Sequence, residues 1–260
     1  MRGDLAGKVA IVTGGVRGIG RAIAIAFAQE GAEVAVFDLD AEDSSLVRAL
    51  LEEIIAASGE KCLYKKVNIT HMQEVSQAVE ETIKVFGKVD ILVNNAGGGR
   101  NPTPLEELEE RDWDQMMDLN LKGTYFCTKA VIKNMKEQSG GKIINISSQA
   151  GRNRSEFSNL PYASAKAGVL GFTRQLAYEV GPLGINVNAI APGVTMSGER
   201  IAKRWEKRTE EERRKMLEDI PLRRLGKPME IARVAVFLAS ENSSYITGAV
   251  IDVNGGRFMM

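Results

Sequence analysis

The stretch Val9-Ala10-Ile11-Val12-Thr13-Gly14-Gly15-Val16-Arg17-Gly18-Ile19-Gly20 constrains the chain more than any other. Val9 to Val12 is a short apolar, β-branched run of the kind found in strands covered on both faces. Gly14, Gly18 and Gly20 follow, and beyond Ile19 the apolar residues Ala22, Ile23, Ala26 and Phe27 fall at helical spacing. A strand that enters a helix through glycines makes a cradle for a diphosphate. The backbone can come close to the phosphates, and the unpaired N–H groups of the first helical turn point at them.

The spacing is G-x3-G-x-G, not the longer G-x-G-x-x-G fingerprint, and an ordinary strand-turn-helix could carry glycines for packing alone. The next segment sharpens the signal. A second apolar strand, Glu33 to Phe37, ends on Asp38, 18 residues after Gly20. A dinucleotide site sets an acid there against the adenosine ribose hydroxyls.

Strand and helix patterns then alternate to the end. Expected helices are Glu42–Ala57 with Leu46, Leu50 and Ile54 on one face, one carrying Val75, Val79, Ile83 and Phe86, Leu105–Glu137 with a break near Glu110, Pro161 to Gly181, and Pro228–Ala239. Expected strands are Cys62–Val67, Asp90–Val93, Lys142–Ile146, Ile185–Ile190 and Ala249–Val253. This predicts an α/β chain, a single domain over residues 1–260, with a doubly wound, seven-stranded parallel sheet and helices on both faces. The polar oddities gather at the carboxyl ends of the strands, where open parallel sheets bind ligands: Thr13-Gly14, Asp38, Asn68, Asn94, Ser148 and Pro192-Gly193.

Composition removes several other functions. Lys plus Arg and Asp plus Glu number 34 each, so nothing favours nucleic acid or an anionic membrane. The first residues lack a signal-peptide core and no apolar run could span a bilayer, which makes a cytoplasmic protein the expectation. One histidine and two distant cysteines, Cys62 and Cys127, cannot build a zinc site, and no metal is expected. His71 has no nucleophile near it in sequence and reads as a solvated residue after a Thr70–Gln73 capping box. Residues 198–220 are mostly charged, with both signs mixed. They predict a helical pair with a Thr209–Glu212 capping box, either simply solvated or a flap whose Ile201, Trp205 and Met216 cover a substrate.

Tyr162 and Lys166 are i and i+4 at the start of the long helix and share a face. A tyrosine, with a reference pKa of about 10, is too weakly acidic to act as a base near neutrality, but an adjacent ammonium favours its phenolate. Ser148, at the sheet edge, can donate to a carbonyl oxygen. Alone, Tyr-x3-Lys reads as a surface pair; beside a dinucleotide cradle and a serine it reads as a proton-transfer site.

With these residues in hand the chain resembles the short-chain dehydrogenase/reductase family, in its single-domain Rossmann-fold branch and nearest the 3-oxoacyl reductase type. The matching residues are Thr13-Gly14-x3-Gly18-x-Gly20, Asn94-Asn95-Ala96-Gly97, Asn120, Ser148, Tyr162-x3-Lys166 and Pro192-Gly193. The resemblance implies hydride transfer between a secondary alcohol or ketone and NAD(P). Tyr162 would be the acid/base, Ser148 the substrate anchor, Lys166 the ribose ligand, and Asn120 the holder of a water joining Lys166 to solvent. It places Thr13, Gly14, Arg17, Gly18, Ile19, Gly20, Asp38, Leu39, Asn68, Ile69, Asn94, Ala96, Gly97, Pro192, Gly193, Thr195 and Ser197, with Tyr162 and Lys166, around the coenzyme. Asn68 stands where the family usually has an acid and can still accept through its side-chain carbonyl. The family's threonine after Pro-Gly aligns with Ser197, with Thr195 nearby. Asp38 favours NAD and Leu39 offers a phosphate nothing, while Arg17 is the kind of base found in NADP users; NAD is the expectation. A homotetramer is implied, with Gly168 and Gly171 at a helix contact and Phe258, Met259 and Met260 near another. Arg152, Arg154 and Phe157 lie in the loop before Tyr162, and both a substrate role and a solvated loop are open for them. The alternative function is a non-enzymatic NAD-binding sensor or scaffold, against which an intact Ser148, Tyr162 and Lys166 argue.

Overall fold

In the computed structural model, which describes residues 3–59 and 61–259, the strands are β1 Val9–Thr13, β2 Glu33–Asp38, β3 Cys62–Lys66, β4 Ile91–Asn94, β5 Gly141–Ile146, β6 Ile185–Pro192 and β7 Val250–Val253. They form one seven-stranded sheet in the order β3-β2-β1-β4-β5-β6-β7. Every pairing is parallel. The order reverses between β1 and β4, so a crevice opens beyond their carboxyl ends. The sequence reading of the sheet holds, with strand ends shifted by a residue or two.

Two apolar layers cover the sheet. One packs α1 (Gly18–Gln29), α2 (Ser45–Ser58) and α9 (Pro228–Ala239) on one face, through Ile23, Phe27, Leu50, Ile54, Ile231 and Leu238. The other packs α3 (Met72–Phe86), α5 (Gly123–Glu137) and α6 (Leu160–Val180) on the opposite face, through Val75, Val79, Val131, Met135, Ala177 and Val180. Their opposite placement follows from alternation along a buried strand: Ala10 and Val12 face one layer, Ile11 the other. Among the described residues no helix is long and apolar enough to cross a membrane, and no three metal-ligating side chains cluster.

Three local expectations are corrected. In α2 the buried face is Val47, Leu50 and Ile54, while Leu46 is exposed; the helix starts later than its periodicity suggests, with Ser44 accepting from Val47 N–H as its cap. The Thr70–Gln73 capping box does not form. Asn68 Oδ1 accepts from both Thr70 N–H and Thr70 Oγ1, and Glu74 accepts from Asn68 N–H and from His71. Those two bonds, the backbone one first, hold the Glu74 carboxyl below its usual pKa. His71 remains exposed, as expected. Finally, the segment before α5 contains a second irregularity. After α4 (Glu110–Met117) comes a π-helical turn, Asp118–Lys122, with Asn120 at its centre. Such inserted turns recur at functional sites.

The charged region forms α7 (Glu199–Glu206) and α8 (Glu210–Glu218). The Thr209–Glu212 capping box is present as read. Arg213 of α8 donates to the Trp205 and Glu206 carbonyls and so caps the end of α7.

Candidate active site

A cleft of about 1350 Å3 runs along the carboxyl edge of the sheet. Asp38, Leu39, Asn68 and Ile69 line one end, and Gly14, Arg17, Gly18, Ile19, Ala96 and Gly97 its middle. Ser148, Tyr162, Lys166, Pro192, Gly193, Thr195 and Ser197 line the other. Four of the expected residues do not line it: Thr13, Gly20, Asn94 and Asn120.

Those four have definite tasks beneath the surface. Thr13 Oγ1 accepts from the N–H groups of Asn95 and Ala96, both at 3.0 Å, and so pins the end of β4 to the glycine turn. Gly20 is glycine because a Cβ there would meet the Gly14 carbonyl oxygen at 2.1 Å, with the Asn95 amide next at 2.5 Å. Asn94 is buried in the sheet, where its amide donates to Thr128 Oγ1 at 3.1 Å and Asn145 Oδ1 at 2.8 Å. Its neighbour Asn95 reaches the turn instead, donating to the carbonyls of Thr13 and Gly14, both at 2.9 Å. Asn120 is fully buried, its Oδ1 accepting from Gly98 N–H at 2.9 Å and its Nδ2 donating to Gly98 and Met116 carbonyls. Both ends of that amide are engaged, so the side chain shapes the Gly97-Gly98 backbone. Asn68 lines the cleft, but its carbonyl is taken up by Thr70.

The glycine turn suits an anion. The first residue before α1 is Arg17, whose side chain makes no capping bond, and no acid occupies the first turn. The orphan donors of that helix end therefore open on the cleft. At the Asp38 end, Asp38 Oδ2 accepts from Val16 N–H at 2.9 Å and Oδ1 from Leu39 N–H at 2.7 Å. Arg17 is ion-paired to Asp40. Tyr64 donates to the Asp40 carbonyl at 2.6 Å. Its phenol is pushed up by burial and then by the charges of Asp38, Asp40 and Glu42. Asp38 and Asp40 both line this end of the cleft, with Arg17 and Arg21 beside them.

At the other end α6 is fastened to the loop after β5. Ser147 Oγ donates to the Lys166 carbonyl at 2.8 Å, and Gly151 lies so close to the Lys166–Ala167 peptide that a Cβ would meet it at 2.6 Å. Those contacts hold the loop that carries Ser148 to the helix that carries Tyr162. Gly99 seats the Tyr162 ring: a Cβ there would lie 3.1 Å from Cγ. Lys166 Nζ is 5.8 Å from the Tyr162 ring centre and donates to the Ile146 carbonyl at 2.8 Å. Only 4 % of Lys166 is exposed, and this burial pushes its ammonium down to about 8. The Ser148 hydroxyl accepts from Ala150 N–H at 3.1 Å, which leaves its proton to donate.

Of the remaining expectations, Ile201 lines the cleft, whereas Trp205 lies off it beneath Arg213, and Met216 is buried. Arg154 and Phe157 line it; Arg152 does not, and pairs instead with Asp252 at 3.4 Å. Sequence reasoning gave no task of their own to Asn95, Gly99, Ser147, Gly151 and Arg257. Glycines flanking polar site residues were the available signal for Gly99 and Gly151; none existed for Arg257, which arrives from the far end of the chain.

A dinucleotide fits this donor set, and a nicotinamide group, when bound, gives or takes a hydride. Fold and site together define a nicotinamide-dependent oxidoreductase. A family model described as Enoyl-(Acyl carrier protein) reductase matches residues 14–257. The chain is 42 % identical over 250 residues to the (2S)-[(R)-hydroxy(phenyl)methyl]succinyl-CoA dehydrogenase subunit BbsD of Thauera aromatica, covering 96 % of each. It is 40 % identical over 252 residues to the 3-oxoacyl-[acyl-carrier-protein] reductase FabG of Thermotoga maritima, covering 97 % of this chain and 98 % of that one. A crystal structure described as a short-chain dehydrogenase/reductase from Burkholderia xenovorans superposes with a TM-score of 0.90 at 34 % identity, with 98 % of each chain covered. The chain belongs to the short-chain dehydrogenase/reductase family. It is an NAD(P)-dependent enzyme of the class that interconverts alcohols and carbonyls, and nothing in these likenesses favours a non-catalytic scaffold.

Proposed function

We propose that this enzyme interconverts a secondary alcohol and a ketone on an acyl thioester, with NAD as preferred coenzyme. The observation that carries the reading is the convergence of Ser148, Tyr162 and buried Lys166 on the cleft into which the uncapped end of α1 opens. Tyr162 gives its proton to the carbonyl oxygen in reduction and takes one from the alcohol in oxidation. The Lys166 charge favours the phenolate and its ammonium binds ribose hydroxyls. Ser148 donates to the reacting oxygen, and Asn120 acts as a positioning residue through Gly98. The relatives named above act on a hydroxylated succinyl-CoA and on a 3-oxoacyl carrier protein, which supports a thioester. Assay of 3-hydroxyacyl and 3-oxoacyl thioesters against polyols, followed by NADH absorbance, tests this. Preferential reduction of an enoyl thioester, or activity confined to polyols, would overturn it.

NAD is favoured because Asp38 and Asp40 line the ribose end, and the bases beside them, Arg17 and Arg21, are already paired with Asp40 and Glu53. A 2′-phosphate against Asp38 costs on the order of 1–3 kcal/mol, so kcat/KM with NAD should exceed that with NADP about tenfold or more. Equal use of the two coenzymes would show that Arg17 decides.

We further propose a cytoplasmic homotetramer of one-domain chains, with residues 198–220 as a substrate flap. Gly168 is accounted for within the chain, since a Cβ would meet Leu121 at 2.8 Å, but Gly171 has open space around it. Beyond it on the same helix face, Tyr178 is 82 % exposed. Met259 is exposed as well, and Met260 lies outside the described residues. Gly171→Leu should fold normally, because nothing in the chain opposes the side chain and helix propensity improves by up to about 1 kcal/mol. It should nevertheless lower the assembly order seen by light scattering. An unchanged assembly would exclude this face as the contact.

A further inference from the structure

We infer that Arg257 binds an oxyanion of the substrate, a carboxylate or a phosphate, so that the natural substrate is an anionic secondary alcohol or ketone; this rests on the cleft being the site of hydride transfer.

Arg257 reaches the cleft through a built turn. Asn254 receives Gly256 N–H at Oδ1 (2.9 Å), donates from Nδ2 to the Phe258 carbonyl (2.9 Å) and accepts Arg257 N–H at its carbonyl (3.3 Å). Gly255 and Gly256 both have positive φ, +68° and +84°, which this reversal requires. The turn packs against Gly193, where a Cβ would lie 2.8 Å from Asn254 Cα, so it sits beside the segment that follows β6. The Arg257 side chain is only 12 % exposed and lines the cleft. Its guanidinium lies 4.9 Å from the centre of the Phe157 ring, which orients a planar group.

The charges around it leave that group available. Among the described residues its guanidinium has no hydrogen bond and one ion pair, to Asp219 at 3.7 Å. Asp219 is 61 % exposed, so the pair is loose and easily exchanged. The other acids of this rim, Glu156 and Glu199, point to bases of their own, Arg154 at 3.3 Å and Lys203 at 2.6 Å, in pairs that are likewise exposed. A forked, largely desolvated guanidinium recognises a bidentate oxyanion, and the interaction strengthens out of water.

The test uses dead-end complexes of the enzyme with NADH, in which a bound alcohol cannot react. The probes are 3-hydroxyglutarate, a secondary alcohol with a carboxylate on either side, its dimethyl ester, and glycerol 1-phosphate. NADH fluorescence reads binding. Wild type should bind at least one of the anions about tenfold or more tightly than the ester. Which anion wins separates carboxylate from phosphate. Arg257→Gln should erase the difference while NADH still binds, and Arg257→Lys should restore part of it. No preference in wild type, or an undiminished one in Arg257→Gln, overturns the inference. Selective anion binding without any turnover would instead overturn the proposed reaction and leave this site standing.

Discussion

Tyr162→Phe should lower kcat by about 10²–10⁴-fold while NAD binds with near-native affinity. The substitution removes one oxygen and leaves the ring, whose seat is set by Gly99 on one side and the Lys166 region on the other. Neither contact needs the hydroxyl. The loss should therefore appear in kcat and kcat/KM together, the signature of an interaction made in the transition state. Alcohol oxidation by the wild type should fall as pH is lowered, because the base must be free to take the alcohol proton. Whatever oxidation survives in the variant should lack that acid limb. Steady-state kinetics across pH, with NADH fluorescence for binding, measure both. A rate within a few-fold of wild type would remove Tyr162 as the acid/base, and the reading of Ser148 and Lys166 would fall with it.

The sheet was readable because its strands are buried on both faces, so that each appears as an apolar run closed by polar residues. The helix Pro228–Ala239 matched to the residue because proline fixes its start. The glycine turn was readable too, although for a reason the motif does not contain. Gly14 is crowded by the chain's own Ala96, and Gly20 by the Gly14 carbonyl and Asn95, rather than standing clear for a phosphate alone. What escaped was the direction of individual side chains at element ends. Asn94 and Asn95 are equally polar, but Asn94 completes β4 and turns inward, which leaves Asn95 to meet the glycines. Leu46 and Val47 differ by one position in helix phase, and only the true cap decides which is buried. Trp205 and Arg204 are adjacent on α7, and sequence favoured the aromatic for the cleft; packing under Arg213 gave that place to Arg204. Arg257 depends on β7 lying beside β6, a pairing between segments far apart in the chain.

Lys166→Met should abolish turnover and yet stabilise the free protein. Lys166 is buried with its ammonium at about 8 against an ordinary 10.5, and desolvation is the cause. Folding therefore works against the charged form. The unfolded chain binds more protons than the folded one between those two values, so this group's penalty is present in full below pH 8 and is relieved as pH rises from 8 towards 10.5. The difference corresponds to about 3 kcal/mol near neutrality. Against it stands the hydrogen bond to the Ile146 carbonyl at 2.8 Å, whose loss costs about 1–3 kcal/mol. Methionine fills a similar volume, so a net gain of up to about 2 kcal/mol is expected at pH 7, seen as a Tm higher by as much as a few degrees. That gain should shrink as pH is raised through 8, because the wild type sheds its own penalty there. NAD affinity of the wild type should weaken over the same range as the ammonium is lost, and in Lys166→Met it should be weak throughout. Thermal melts of the coenzyme-free proteins at several pH values, with NAD titrations beside them, measure the two effects. A stability gap that does not change with pH would mean that the buried charge carries no penalty; a less stable variant with the expected pH dependence would mean that the Ile146 hydrogen bond outweighs it. The chain holds that charge at a cost in stability because coenzyme and phenolate both need it.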